Sequence, residues 1–348
     1  SKPVDPLARN RLKDLAALLA HLHDKGVWQK DLHLDNFLIA HGQLYAIDGD
    51  GVRADGPTLS RRTSLRNLAL LLAQLPPSAD DGIAALRAAY CEARGWVDDV
   101  DTELRRLLVV ERNRRVNRYL RKTQRNCTEI EVSSSRRQNF LVLRNLDEAL
   151  VTQLLRDPDR LVREGEVLKA GNSSTVVRHS SSGSGTFIIK RYNIKNPWHR
   201  LRRMFKPVTR FRRAWCNGHR LHFMQIATAR PLALLEKRIG PFHGVAYLVM
   251  EDLGDQDLSR EVATAGLSDA RCEEVAKLFA LLKAIGVSHG DTKATNFMVH
   301  DDKIHLIDLD SMHPGFKRLR TDRDRFLDNW AAPERTRFEA AFQRAGLL

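Results

Sequence analysis

The chain has 348 residues, 43% of them hydrophobic, which is enough to build two ordinary cores and excludes a disordered tail. Lysine and arginine number 57 against 43 acidic residues, a formal net charge of +14, so an anionic partner is expected: nucleic acid, a phosphate-bearing small molecule or a membrane surface. The four cysteines, Cys91, Cys127, Cys216 and Cys272, lie far apart, which argues against a zinc ribbon or disulfide framework and for a reducing, cytosolic compartment, and no apolar run approaches the ~20 residues of a membrane span.

The first predicted element is an amphipathic helix with Leu15, Leu18, Leu19 and Leu22 at helical spacing, ended by Gly26. A polar loop, QKDLHLDN, follows, then two short strands, the second closing on IDGD. The pattern recurs. Shifted by 260 positions, Leu15–Asp50 aligns without a gap on Val275–Asp310, with 12 identities in 36 pairs. Shared apolar periodicity explains the matching leucines and alanines. It does not explain why Asp31, Asn36, Asp48 and Asp50 recur as Asp291, Asn296, Asp308 and Asp310.

Between the copies, residues 102–125 read as a strongly basic helix, 127–143 as two strands around a serine-rich turn, and 145–156 as a short helix. A domain boundary is expected within 126–160. Strands are then predicted on either side of GNSST (171–175), at FIIK ending on Lys190, and at AYLVMEDL, which carries Glu251. Residues 180–185, SSSGSG, read as a flexible hairpin tip.

In the second copy the loop is HGDTKATN and the closing strand ends in IDLD. Phosphoryl transfer needs this combination: one carboxylate to orient and deprotonate the attacking hydroxyl, and an amide and a second carboxylate to hold magnesium on nucleotide phosphates. His289, Asp291, Lys293, Asn296 and Asp308 supply the set, with Asp291 as base, His289 and Lys293 as further catalytic groups, Lys293 near the transferred phosphate, Asn296 and Asp308 as metal ligands and Asp310 as a supporting metal ligand.

These residues, together with GNSSTVV, FIIKRYNIKNPWHRLRR, AWCNGHRL and YLVMEDL, resemble the lipopolysaccharide core (heptose) kinases of InaA type, within the protein-kinase-like superfamily. The resemblance is close over about residues 160–348 and weaker over 10–125. It implies an α+β, protein-kinase-like fold: one two-lobed domain over 161–348, with N-lobe 161–251 and C-lobe 252–348, plus a second kinase C-lobe over 1–125 joined through 126–160. It further implies ATP and Mg2+ as cofactors, Gly171, Asn172, Ser173 and Ser174 covering the phosphates, Lys190 clamping them, Glu251 at the adenine-binding hinge, and a sugar hydroxyl of lipopolysaccharide inner core as acceptor. The first copy, with His33 in place of the loop lysine and an upstream N-lobe missing from the sequence, reads as a degenerate or regulatory half, and the chain as a fragment or as a sequence that omits an upstream region. A pseudokinase scaffold and a soluble small-molecule kinase are the alternatives.

One stretch departs from the pattern. Val167–Leu235 contains 14 basic residues and no Asp or Glu, so the helix near 214–221 offers Asn217 and His219 where a kinase pairs its strand lysine with glutamate. Lys190 is then expected to be held by neutral hydrogen bonds, with impaired catalysis as the alternative. Without this window the chain carries 43 basic and 43 acidic residues, so the excess charge is one concentrated cationic face. Residues 197–220 interleave arginines with Trp198, Phe205, Phe211 and Trp215, which suggests docking on anionic glycolipid or an anionic membrane, peripherally at the cytoplasmic face of the bacterial inner membrane. No nucleic-acid recognition motif accompanies the charge.

Overall fold

A computed structural model describes residues 6–181, 185–193, 209–239, 242–315 and 319–347. The chain packs as two compact units, Ser1–Arg115 and Val116–Leu348.

The first unit opens with α1 (Pro6–Asp24), whose Leu15, Ala16, Leu19 and Ala20 are buried on one face as the leucine spacing requires. Then come β1 (Val27–Gln29), a 3-10 turn at Leu34–Asn36, the hairpin β2 (Phe37–Ala40) and β3 (Gln43–Ala46), a second 3-10 turn at Gly49–Gly51, and β4 (Val52–Ala54), which pairs antiparallel with β1. Helices α2 (Arg61–Leu72), α3 (Asp80–Ala93) and α4 (Asp101–Lys122) follow, the last running across the division between the units.

In the second unit the sheet order is β5-β6-β10-β11-β9-β8-β7, with every pairing antiparallel. Its strands are β5 (Ile130–Ser134), β6 (Gln138–Leu143), β7 (Glu166–Ala170), β8 (Ser174–Ser181), β9 (Gly185–Tyr192), β10 (Pro231–Ile239) and β11 (Phe242–Glu251). Both faces are covered. In β11, Tyr247 and Val249 join a core with Leu150 of α5 (Glu148–Arg156) and Leu161 of α6 (Pro158–Glu164). Ala246 and Leu248 point the other way, onto Phe211, Ala214 and Trp215 of α7 (Arg210–Phe223), as the two-residue period of a strand dictates. Residues 130–143 therefore do not connect two domains, as expected from sequence: β6 lies between β5 and β10 inside the sheet.

α7 approaches the sheet so closely at Gly218 that an added Cβ would sit 2.3 Å from Cγ of Pro231. Gly218→Ala is expected to lower stability by about 1–2 kcal/mol, because overpacking outweighs the better helix propensity of alanine; a thermal midpoint at or above wild type would contradict this.

After the sheet come α8 (Leu258–Ala265), α9 (Asp269–Ala284), β12 (Val287–Ser288), a 3-10 turn at Ala294–Asn296, the hairpin β13 (Phe297–His300) and β14 (Lys303–Leu306), a 3-10 turn at Leu309–Ser311, β15 (His313–Pro314), α10 (Leu319–Leu327) and α11 (Ala332–Arg344). Phe326 centres their core, its ring 4.9 Å from those of Phe297 and Phe338. From α9 to β15 the order repeats α1 to β4 element for element, with β12 pairing β15 as β1 pairs β4. Even the backbone recurs: Asp48 and Asp308 both adopt left-handed conformations, with φ of 61° and 56°. The hairpins differ in cover. Val299 N donates to Gln256 O at 2.7 Å and Leu306 N to Ala227 O at 3.0 Å, whereas Leu38, Ile39 and Tyr45 of the first hairpin are exposed.

Candidate active site

The loop between β12 and β13 is set by its buried residues. His289 is fully buried; its Nε2 donates to Ile307 O at 3.0 Å and its Nδ1 accepts from Asp291 N at 3.3 Å. Burial pushes its pKa below the ordinary value, which favours the neutral ring those two bonds require. His289, expected among the catalytic groups, thus ties backbone to backbone. Asn296 Nδ2 donates to Asp291 O at 2.7 Å and to Asp291 Oδ2 at 3.4 Å. Lys293 is largely exposed, with Nζ 3.7 Å from Asp291 Oδ2. Asp291, Lys293 and Asn296 are therefore brought together.

A cavity of about 330 Å3 lies between the sheet and this loop. Leu168, Val176, Ile188, Met250, Leu253 and Met298 make an apolar slot, and Lys190, Asn296, Asp308 and Asp310 line its polar side. Lys190 Nζ donates to Asp308 Oδ1 at 2.6 Å and to Asp310 Oδ2 at 3.1 Å. Burial pushes the Asp308 carboxyl up, but the Lys190 ammonium outweighs it and holds the group below its ordinary value. The expectation of neutral hydrogen bonds to Lys190 is corrected: charged pairs hold it. Asn217 instead donates to Leu309 O and Met312 O, at 3.0 and 3.1 Å. His219 is buried against Tyr119 and Trp215, and among the described residues neither ring nitrogen has a hydrogen-bond partner.

Ser174 lines the cavity. Gly171, Asn172 and Ser173 form the turn beside it, closed by Gly171 N donating to Ser174 O at 3.0 Å and fixed by Asn193 Nδ2 donating to Gly171 O at 3.1 Å. Glu251 also borders the slot. Its own N–H is given to Arg230 O at 3.1 Å, so that backbone donor is already engaged, and its Oε2 accepts from Arg230 N at 3.0 Å.

Three side chains that fix the loop escaped the sequence reading. Asp322 of α10 accepts from Gly290 N at 3.0 Å. Asn329 accepts from Ala294 N at 3.4 Å and donates to Thr292 O at 3.1 Å. Arg325 donates to Gly290 O. The first unit has the same clamp: Gln74 accepts from Leu34 N at 2.9 Å and donates to Leu32 O at 2.7 Å, and Asn67 donates to Gln29 O at 2.7 Å. Asn67 and Gln74 are seven residues apart, as are Asp322 and Asn329.

The first-copy site differs in its surroundings. Asp31, paired with His33 at 3.2 Å, is largely exposed, Asn36 donates to Asp31 O at 3.1 Å, and Asp48 and Asp50 lie open at the surface. No lysine pairs with them among the described residues.

The cationic window also changes character. Arg178 pairs with Asp252 and Asp255, Arg191 with Asp159, Arg210 with Asp310, and Arg212 with Glu236. Among the described residues, acids from outside the window thus pair with five of its cations, Lys190 included. Phe211 and Trp215 are buried under the sheet, so they cannot dock on a membrane, and residues 197–208 lie outside the described residues.

A strand lysine paired with a strand-end aspartate on the polar side of an apolar slot, which also takes in Asn296 of the loop that carries Asp291, is the arrangement of a kinase-like phosphotransferase. Residues 152–329 match the lipopolysaccharide kinase (Kdo/WaaP) family, and the chain belongs to that family. It is a kinase, a phosphotransferase acting on a sugar hydroxyl, with a role in lipopolysaccharide synthesis. No match was found among curated proteins.

Proposed function

We propose that the second unit transfers the γ-phosphoryl of ATP to a heptose hydroxyl of lipopolysaccharide inner core. The observation that carries this reading is that one cavity joins an apolar slot to Lys190, Asn296 and Asp308, with Asp291 bonded to Asn296. Asp291 accepts the proton of the acceptor hydroxyl, Lys293 stands over the transferred group from the exposed side, and Lys190 holds the nucleotide phosphates.

The residues fit a divalent cation bound through phosphate. Among the described residues no three His, Cys, Asp or Glu side chains form a metal cage, but Mg2+ bound with a nucleotide needs only one or two protein oxygens. Asp308, half-buried, offers one carboxylate oxygen beyond the Lys190 pair, and among the described residues Asn296 has only its NH2 engaged, which leaves the amide oxygen for a metal. Bound there, the metal would neutralise charge on the phosphates.

In the first unit we propose a second kinase-type C-lobe acting as a regulatory half, supported by the repeated element order and the repeated loop clamp. Its open aspartates, with no lysine among the described residues to meet them, argue against a nucleotide site built as in the second unit.

Incubation with ATP and dephosphorylated inner-core glycan is expected to add one phosphate by mass analysis; no added phosphate, with ATP bound, would reject the acceptor. We also propose peripheral docking at the inner membrane. Among the described residues no helix is long and apolar enough to cross a membrane. Flotation with phosphatidylglycerol vesicles at low salt is expected to carry the protein upward, and with phosphatidylcholine vesicles to leave it behind. Equal flotation with both would refute a charge-driven contact.

A further inference from the structure

We infer that Asp310 is not a metal ligand but the positioning residue of Lys190, replacing the helix glutamate that this sequence lacks. Three observations meet on it. Asp310 is almost fully buried, at 2% exposure, whereas the Asp308 side chain keeps 28%. Both of its oxygens are occupied: Oδ1 accepts from Tyr192 Oη at 2.8 Å, and Oδ2 accepts from Lys190 Nζ at 3.1 Å and from Arg210 Nη2 at 2.9 Å. These three donors fill three of the carboxylate's roughly four lone-pair sites, and two of them are cations that a metal would have to sit against.

The turn that carries Asp310 is fixed from the same side. Asn217 of α7 bonds the carbonyls of Leu309 and Met312, on either side of Asp310, and Arg210 starts the same helix. In a kinase with a helix glutamate, the helix reaches the lysine directly. Here the carboxylate has moved to the strand-end turn, and the helix reaches the lysine by holding that turn. The two aspartates of IDLD then divide the work. Asp308 can swing from Lys190 toward a bound metal, while Asp310 keeps Lys190 aimed at the cavity. Arg210 offsets the second carboxylate, so one negative charge does not cancel the lysine.

The inference rests on the proposed nucleotide site, and two measurements separate it from that reading. The first needs no nucleotide: acylation of Lys190 by an amine-reactive ester in the unliganded protein, followed by mass spectrometry. Asp310→Asn is expected to speed it about tenfold, the low end of what one charge-assisted hydrogen bond contributes. An unchanged rate overturns the inference whether or not the protein binds ATP. The second is the affinity for a fluorescent ATP analogue in EDTA. Asp310→Asn is expected to weaken it about tenfold, because Lys190 is left to Asp308 alone. Asp308→Asn should leave metal-free affinity equal or stronger and abolish the gain on adding Mg2+. If Asp310→Asn instead behaves like Asp308→Asn, Asp310 is a metal ligand and the inference fails.

Should Asp310→Asn fail to fold, Tyr192→Phe removes one bond to the carboxylate and no charge. It is expected to shift both readouts in the same direction by about threefold, less than Asp310→Asn, because the carboxylate and its charge remain beside Lys190 and only one of its three donors is lost. Wild-type values in that variant would also overturn the inference. Ala214, on α7, is among the residues lining the same cavity as Lys190. Adding Ala214→Glu to Asp310→Asn restores a helix carboxylate and is expected to recover most of the lost metal-free affinity, a rescue that a packing role for Asp310 does not allow.

Discussion

Asp291→Asn is expected to reduce phosphoryl transfer about a thousandfold while leaving ATP binding within a factor of about two. Loss of a positioned general base costs roughly 10²–10⁴ in rate, and the middle of that range applies because Lys293 and the Lys190 clamp remain. The substitution is nearly isosteric. Asn296 donates to the backbone carbonyl of residue 291 at 2.7 Å, a bond the variant keeps, and the amide oxygen of asparagine can still accept the longer bond that now reaches Oδ2. His289 and Asp322 hold the flanking peptide groups without contacting the Asp291 carboxylate. Loop geometry should therefore survive. A single-turnover measurement with saturating glycan acceptor and ATP checks the chemical step, and a residual rate within tenfold of wild type would remove Asp291 from the role of base.

The loop was legible because its chemistry is local. Asp291, Asn296 and Asp308 fall on one short loop and hairpin, so their spacing survives as a sequence pattern, and the internal repeat doubles the signal. The clamp behind the loop was not legible. Asp322 and Asn329 act from more than thirty residues away, and the ungapped match between copies ends at Asp50 and Asp310, before the helices that carry Asn67 and Asp322. The connections to those helices differ in length, which shifts the register. Only the shared seven-residue step between Asn67 and Gln74, and between Asp322 and Asn329, marks the correspondence.

The extent of the sheet and the fate of the charge were hidden for a related reason. Strand partners β6 and β10 are some ninety residues apart, and no local periodicity distinguishes an added strand from a connecting hairpin. Counting charges along the chain likewise made 167–235 look like a free cationic face. In three dimensions Arg178, Lys190, Arg191, Arg210 and Arg212 find acids that precede or follow the window. The same folding supplies the missing partner of Lys190: the carboxylates come from the turn after β14 rather than from α7.

Glu236, the first acid after that window, carries the largest expected effect on stability. It is fully buried on β10 and accepts from Arg212 of α7 and Arg238, each at 3.2 Å, and from His243 of β11. It thereby joins the helix to two strands of the sheet. Glu236→Gln is expected to cost about 3 kcal/mol, the lower end for removing one partner of a buried ion pair, because both arginine side chains retain partial exposure to water. Burial pushes the Glu236 carboxyl up, but the His243 hydrogen bond and the two guanidinium charges prevail and hold it below its ordinary value. The sign follows: with the folded-state value depressed, the stabilisation is complete above the unfolded pKa of about 4.3 and disappears as pH falls through the folded value. Urea unfolding of wild type and Glu236→Gln should therefore differ most near neutral pH and converge on acidification. A gap that stays constant down to about pH 3 would show that the carboxylate's charge contributes nothing and that glutamine fails for reasons of packing alone.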